Sequence, residues 1–489
     1  QEILDLVDAP RAPFVQIDRV GKYAILIHRD PFPSIEALCG EELRLAGLRI
    51  DPQLHISSRT TYYHRLDVLR LEDLSVDAVQ GLPTAARLAH FSWSPCQTKL
   101  AFTHSTPTGV EAWYLDVATA QAIRLTEPCI TASLEQPLRW LQDSQALLVK
   151  CLPETRPALR DAKTTAPQGP TISISDGQKS ENRTYQDLLK NRDDAHNFTV
   201  LTTSQLYRVD LKGQRSLWLP QAALYRSMMP SPDGRYILVT ALEPPFSYLV
   251  PYTRFPQVAR LYAKDGTLVQ TVNQVPLSED LPKGFMSVRT GRRMMGWRAD
   301  QPATLAWVEA LDGGDAAQAA SHRDALYTLD TAILAAEPTL LLRTQQRFNA
   351  VEWASDDLAL VHEYWWNTRN TKVYRFKPRQ PTEAPEIIID RNYQDEYKDP
   401  GYFLTTRNAA GKTVLETHDN ALYLIGAGFS EKGQFPFVDR WDLATNTTTR
   451  LYQSTYTDRR EQLYFSPDLA KGDFIVRLEA PTEFPNYYI

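Results

Sequence analysis

A short turn-and-strand phrase recurs along this 489-residue chain, and its spacing limits the fold more than any other feature. The phrase is an aromatic or small residue, a Ser/Ala–Asp/Pro turn, and then a run of β-formers. It reads Trp93-Ser94-Pro95 before Lys99-Leu100-Ala101-Phe102, and Trp140-Leu141-Gln142-Asp143 before Ala146-Leu147-Leu148-Val149. It returns as Pro230-Ser231-Pro232-Asp233-Gly234 before Tyr236-Ile237-Leu238-Val239, and as Trp297-Arg298-Ala299-Asp300 before Thr304-Leu305-Ala306-Trp307-Val308. Trp353-Ala354-Ser355-Asp356-Asp357 before Leu358-Ala359-Leu360-Val361 and Phe465-Ser466-Pro467-Asp468 before Phe474-Ile475-Val476 complete the set. Pro presets φ and Gly accepts positive φ, so these turns punctuate strands.

A second phrase is an alternating strand, a tight polar turn and a return strand. Trp113-Tyr114-Leu115-Asp116 with Ala122-Ile123-Arg124-Leu125 is one copy; Val438-Asp439-Arg440-Trp441-Asp442 with Thr448-Thr449-Arg450-Leu451 is another. Leu206-Tyr207-Arg208-Val209-Asp210 turns at Gly213, and Arg260-Leu261-Tyr262 turns at Asp265-Gly266. The two phrases together, repeated at intervals of about 50–70 residues, read as the four-stranded blades of a propeller, each completing its neighbour's core. The expectation is therefore an all-β β-propeller of seven four-stranded blades over residues 51–489, preceded by an N-terminal segment, 1–50, with a short helix. The 23 Tyr, 17 Phe and 10 Trp, with Pro (33) outnumbering Gly (21), suit short strands better than long helices.

Two stretches break the rhythm. Ile35 to Ile50 has apolar residues three and four apart and predicts an amphipathic helix. Pro153 to Asn197 is polar and predicts one long insertion between strands, with a helical piece at Thr184-Tyr185-Gln186-Asp187-Leu188-Leu189-Lys190.

The motifs of common chemistries are missing. No Gly-x-Ser-x-Gly elbow occurs; Gly428-Phe429-Ser430-Glu431-Lys432 lacks the second Gly. Gly426-Ala427-Gly428 has Glu431 where a dinucleotide fingerprint needs its third Gly, and His362-Glu363 has no second His three residues on. Asp312-Gly313-Gly314-Asp315 lacks the ligand count of a calcium loop and reads as a hairpin turn. No catalytic residue, metal ligand or cofactor is assigned. Cys39, Cys96, Cys129 and Cys151 form no CxxC pair and read as isolated small fillers rather than disulfides. The net charge of -6 is scattered, with no basic track for nucleic acid, and no apolar run approaches the ~20 residues of a membrane span. The compartment stays open: cytoplasmic, exported to a periplasm, or plastid-like. One cluster is denser in charge: Arg289, Arg292, Arg293 and Arg298, with Arg254 in Tyr252-Thr253-Arg254-Phe255-Pro256. These arginines are either a solvated face or stems packed on aromatics, or else guanidinium forks that bind carboxylates.

Several unusual stretches carry a resemblance. Val7-Asp8-Ala9-Pro10, Leu45-Ala46-Gly47-Leu48-Arg49-Ile50-Asp51 and Tyr185-Gln186-Asp187-Leu188-Leu189-Lys190 are three of them. Arg254-Phe255-Pro256, Ser287-Val288-Arg289, Trp297-Arg298-Ala299-Asp300, Asp312-Gly313-Gly314-Asp315, and Asp390-Arg391 followed by Asp399-Pro400-Gly401 continue the series. In this text the chain resembles the N-terminal half of the glutamyl endopeptidase group of the prolyl oligopeptidase family, whose plant members act in chloroplasts. The resemblance implies a seven-bladed propeller that admits peptides to a Ser-Asp-His α/β-hydrolase domain. It also implies that this domain of the same enzyme and peptide substrates are the partners. No triad residue has a counterpart here, so the chain alone is expected to be inactive and the hydrolase domain absent from it. A stand-alone propeller scaffold that binds protein or peptide partners is the alternative; a cofactor-binding propeller dehydrogenase gains nothing from the residues.

Overall fold

The computed structural model describes residues 11–161, 184–333 and 336–489. Val7-Asp8-Ala9-Pro10 and the middle of the expected insertion lie outside the described residues. The chain divides into two compact units, one formed by Gln1–Asp18 and Lys22–Lys283, the other by Arg19–Gly21 and Gly284–Ile489.

The first unit is a series of antiparallel meanders. Phe14–Ile17, Tyr23–His28, Arg65–Arg70 and Val76–Ala78 make one sheet; Leu88–Trp93, Lys99–Thr106, Gly109–Asp116 and Gln121–Arg124 make the next. Leu138–Trp140, Ala146–Cys151 and Ser204–Asp210 then pair in order with the long strand Arg215–Pro230. That strand also starts a further meander with Tyr236–Leu242, Gln257–Ala263 and Leu268–Val275.

The second unit repeats the plan. Arg293–Trp297, Thr304–Ala310, Asp324–Asp330 and Thr339–Thr344 form one sheet, and Arg347–Ser355, Leu358–Trp365, Asn370–Phe376 and Glu386–Asn392 form another. Tyr402–Phe403, Ala421–Gly426, Phe437–Asp442 and Thr447–Gln453 follow, then a three-stranded sheet of Arg460–Asp468, Asp473–Ala480 and Glu483–Tyr488. The fold class is therefore all-β with propeller-type blades, as the repeat predicts.

The recurring phrase becomes one recurring turn. Ser94 N donates to Lys99 O at 2.9 Å, Leu141 N to Ala146 O at 2.9 Å, Ser231 N to Tyr236 O at 2.8 Å and Arg298 N to Thr304 O at 2.8 Å. In the first three turns a left-handed residue closes the bend: Gln97 at φ 58, Ser144 at φ 57 and Gly234 at φ 70. Ser94 and Ser231 each turn Oγ back to accept the main-chain N–H five residues on, at 3.1 Å.

Period-2 alternation then sends opposite faces of a sheet into different cores. Ala101, Val110, Ala112 and Tyr114 pack with Leu138, Trp140, Leu147 and Val149 of the following meander. Leu100, Phe102, Trp113 and Leu115 pack with Ile25, Ile27, Leu66 and Val68 of the preceding one. In the second unit Ala359, Val361, Tyr374 and Phe376 face Ala306, Val308 and Leu326, whereas Leu360 and Val373 face Leu422, Leu424 and Trp441. Burial on both faces explains why Ala146–Cys151 is buried at every position. Each fully buried Leu, Ile or Phe in these layers contributes about 1.5–3 kcal/mol.

Two helix expectations need correction. Over Ile35 to Ile50 the helix covers only Ile35–Leu38, and Leu43–Leu45 pairs with Leu48–Asp51 as a hairpin. Ala46 (φ 54) and Gly47 (φ 86) form its two-residue turn, and the Leu-Ala-Gly-Leu spacing that suggests a helix serves this turn instead. Thr184 to Lys190 is not helical, because Asp187 is left-handed (φ 58). The helix starts at Arg192 and runs to Thr202, with the Asn191 side chain accepting from Asp194 N as its cap. No helix among the described residues is long and apolar enough to cross a membrane.

Candidate substrate-binding site

In the second unit the loop leading into the strand Arg293–Trp297 carries Arg289, Arg292 and Arg293, and a buried ionic network fixes its course. Asp312 and Asp324 are fully buried, and Arg347 is 3% exposed between them. Arg347 holds Asp312 with a two-pronged grip, Nη1 to Oδ1 at 3.1 Å and Nη2 to Oδ2 at 2.8 Å, and reaches Asp324 Oδ1 with Nη1 at 3.0 Å. Arg323 adds 2.8 Å to Asp312 Oδ2, Arg293 pairs with Asp324 Oδ1, and Phe348 N donates to Asp324 Oδ2 at 2.8 Å. The guanidinium fork suits such planar pairing.

The two carboxyls respond differently. Burial works against charge on Asp312, but hydrogen bonds from Arg347 and Arg323 outweigh it and hold the group below its usual range. At Asp324 burial outweighs the attraction of Arg293 and Arg347, and the carboxyl lies above its usual range.

From this network the loop is suspended. Arg347 Nε donates to Met286 O at 2.9 Å, and Val288 N donates to Gly314 O at 3.0 Å. Gly314 sits at φ +77, where an added Cβ would lie 2.0 Å from Val288 O, so only glycine permits this approach. The Asp312-Gly313-Gly314-Asp315 stretch joins two antiparallel strands, and it also grips the arginine loop.

The five arginines have distinct surroundings. Arg293 and Arg298 are buried and answered by carboxylates: Arg293 by Asp324, and Arg298 by Asp300 at 2.7 Å and Asp356 at 2.8 Å, with its guanidinium 4.5 Å from the Trp353 ring centre. They flank the strand Arg293–Trp297 at opposite ends, roughly 15 Å apart by strand rise. Arg292 stacks 4.4 Å from the Trp307 ring centre, with Glu309 at 3.8 Å. Arg254 ends a short 3-10 helix of the first unit, 5.3 Å from the Tyr185 ring centre.

Arg289 differs from all of these. It donates to the main-chain oxygens of Thr290 (2.9 Å) and Arg292, and among the described residues no carboxylate pairs with it. Burial first, then the charge of Arg293, pushes its guanidinium down to about 10. Three guanidinium groups (Arg293, Arg323, Arg347) against two carboxylates (Asp312, Asp324) leave the network one positive charge in excess, before Arg289 is counted. An anion beside Arg289 would relieve that excess. Sequence reasoning finds Arg289 but misses Arg323, Asp324 and Arg347, whose partners are distant in the chain and carry no local motif. Among the described residues no group of three or more His, Cys, Asp or Glu side chains could hold a metal ion.

A propeller-type β chain with a cationic loop at a strand entry is the class that fold and site define. Comparison with known proteins makes this specific: the chain is homologous to one part of the glutamyl endopeptidases. It is 33% identical over 517 aligned residues to a "Probable glutamyl endopeptidase, chloroplastic" of Oryza sativa subsp. japonica, covering 100% of this chain and 55% of that protein. A protein of the same name from Arabidopsis thaliana is 33% identical over 473 residues, covering 93% and 49%. The chain thus spans about half the length of the curated relatives it matches. No family model matches it. Solved structures similar to it include the β-propeller domain of the Trilobed protease from Pyrococcus furiosus (TM-score 0.37, 10% identity, 82% of this chain and 94% of that one). Prolyl oligopeptidase B from Galerina marginata is another (TM-score 0.43, 10% identity, 96% and 55%).

Proposed function

We propose that this chain is the substrate-admitting propeller portion of a serine-type peptidase that acts on peptides, with bond cleavage carried out by an α/β-hydrolase domain of the same enzyme. The homology to glutamyl endopeptidases along the whole chain supports the peptidase reading. The observation that carries the binding role is Arg289, a half-buried guanidinium with no carboxylate partner among the described residues. A glutamate or aspartate side chain of a peptide supplies the missing acceptor, and a guanidinium–carboxylate pair in a desolvated site is strong and directional. Arg292, in the same loop, contributes further positive charge to an incoming acidic peptide, whereas the charges of Arg293 and Arg298 are answered by the carboxylates they hold. Cleavage after Glu follows as the specificity this chemistry favours.

The test is kinetic and uses the enzyme with its hydrolase portion. Arg289→Gln should raise KM for Glu-containing peptides at least tenfold, with kcat and the turnover of neutral peptides unchanged. Equal losses on acidic and neutral peptides would remove Arg289 from substrate recognition.

A further inference from the structure

Two cysteines of the first unit lie together. Cys129 follows the strand Gln121–Arg124, and Cys151 ends the strand Ala146–Cys151. Their Sγ atoms are 3.6 Å apart, so the sequence reading of isolated thiols does not hold for this pair. The backbone sets the approach: Ile130 and Cys151 form an antiparallel bridge, and Leu152 N donates to Cys129 O at 2.7 Å. Cys129 N is itself tied to Val110 O at 3.1 Å. Both thiols therefore face each other across rigid strands, and a disulfide of about 2.05 Å needs them to close by roughly 1.5 Å.

The two sulfurs are also unequal. Cys151 is 1% exposed, whereas Cys129 is half-buried and open to a small reagent. The contact with Cys151, whose S–H can donate to a Cys129 thiolate, holds the Cys129 thiol below its usual range with Arg215 nearby; the same contact and burial push Cys151 up. A low thiol beside a buried one is the arrangement of an attacking and a resolving cysteine.

We propose that Cys129 and Cys151 are a reversible redox modification site, which a low-molecular-weight disulfide converts to an intramolecular disulfide. The Cys129 thiolate attacks one sulfur of the reagent RS–SR, and RS⁻ leaves. Cys151 loses its proton to that leaving thiolate and attacks Cys129 Sγ, expelling a second thiolate, which takes up the proton released from Cys129. Two protein thiols are oxidised, one RS–SR is reduced to two RSH, and no other reactant is needed. The bond would clamp the turn at Cys129 to the point where the chain leaves the strand Ala146–Cys151 for the long insertion.

The experiment is oxidation of the reduced chain by a glutathione disulfide/glutathione series, acid quenching, alkylation under denaturing conditions and peptide mapping. The expected result is a Cys129–Cys151 cross-linked peptide, 2 Da lighter than the two thiol peptides together. Cys151→Ser should trap Cys129 as a mixed disulfide with glutathione. The wild-type map decides even if that variant does not fold. Recovery of Cys129 and Cys151 as fully alkylated thiols, or of Cys129 as a stable glutathione adduct in the wild type, would overturn the proposal.

Discussion

The two units hold their strand-entry loops by opposite physics. In the first unit the loops meet in an apolar cluster. Phe198 of the helix Arg192–Thr202 stands edge-on to Phe246 and Phe255, with ring centres 5.2 and 5.7 Å away. Leu45, Ile50, Leu189 and Leu201 close around them. In the second unit Asp312, Asp324, Arg293, Arg323 and Arg347 do the corresponding work with buried charge. Apolar packing is non-directional and tolerates adjustment, whereas a buried guanidinium–carboxylate network fixes directions and leaves residual charge. The second device fixes the loop that carries Arg289 in one orientation, through Arg347 on Met286 O and Gly314 O on Val288 N.

Breaking the ionic device should have the largest effect. Asp324→Ala removes the shared acceptor of Arg293 and Arg347 and leaves two buried cations without it. A loss of about 3–5 kcal/mol is expected, read from urea unfolding. Phe198→Ala tests the apolar device and should cost about 3 kcal/mol by cavity formation. The sharper contrast is the response to salt. Phe198→Ala should behave alike at low and high ionic strength, whereas the Asp324 variant, with excess positive charge, should recover stability with added anions. Identical salt responses would dissolve the distinction.

How much of this the sequence discloses follows from the range of each interaction. The blade repeat is legible because Ser94-to-Lys99 and Ser231-to-Tyr236 turns are local and their residues adjacent. The hairpin at Ala46-Gly47 is not, because Leu43, Leu45, Leu48 and Ile50 fit helical and strand periods over so short a run, and Gly47 N bonding to Asp187 O decides the matter from 140 positions away. Arg289 and Arg292 are legible as charge density. The partner that tells Arg293 from Arg289, Asp324, lies in another strand with no mark of its own. The contact of Cys129 with Cys151 is hidden for the same reason, since strand register and not spacing creates it.

A pH dependence should also separate the units. His55, 8% exposed, is held down to about 4 from 6.5, first by burial and then by the charge of Arg156, whose Nη1 lies 2.8 Å from His55 Nε2. The folded imidazole is neutral where the unfolded one is protonated, so the unfolded chain binds the extra proton between these values. Stability of the first unit should therefore fall as pH drops from 6.5 towards 4, by at most about 3 kcal/mol from this group. His55→Asn, which tolerates the left-handed backbone at φ 53, should reduce that slope, leaving the part due to His90, which burial and the charge of Lys150 also hold down to about 4, and keep the neutral-pH value within about 1 kcal/mol. An unchanged slope would mean that His55 is not the acid-sensitive group.

The smallest expected effect lies at the edge of the ionic device. Phe285, 74% exposed, meets Trp366 with ring centres 5.2 Å apart, and the Arg369 guanidinium lies 3.8 Å from the Trp366 ring centre. Trp366 is itself exposed, so water competes for the cation and an exposed pair of this kind contributes about 0.5–1 kcal/mol. Arg369→Gln should therefore cost no more than about 1 kcal/mol and leave the Arg289 loop in place, because Met286 and Val288 are held by Arg347 and Gly314 rather than by this stack. Hydrogen exchange at Val288 N reads the loop directly. Protection unchanged by Arg369→Gln but lost in Gly314→Ala would place the anchor within the buried network; protection lost in both would extend the anchor to the exposed aromatic rim.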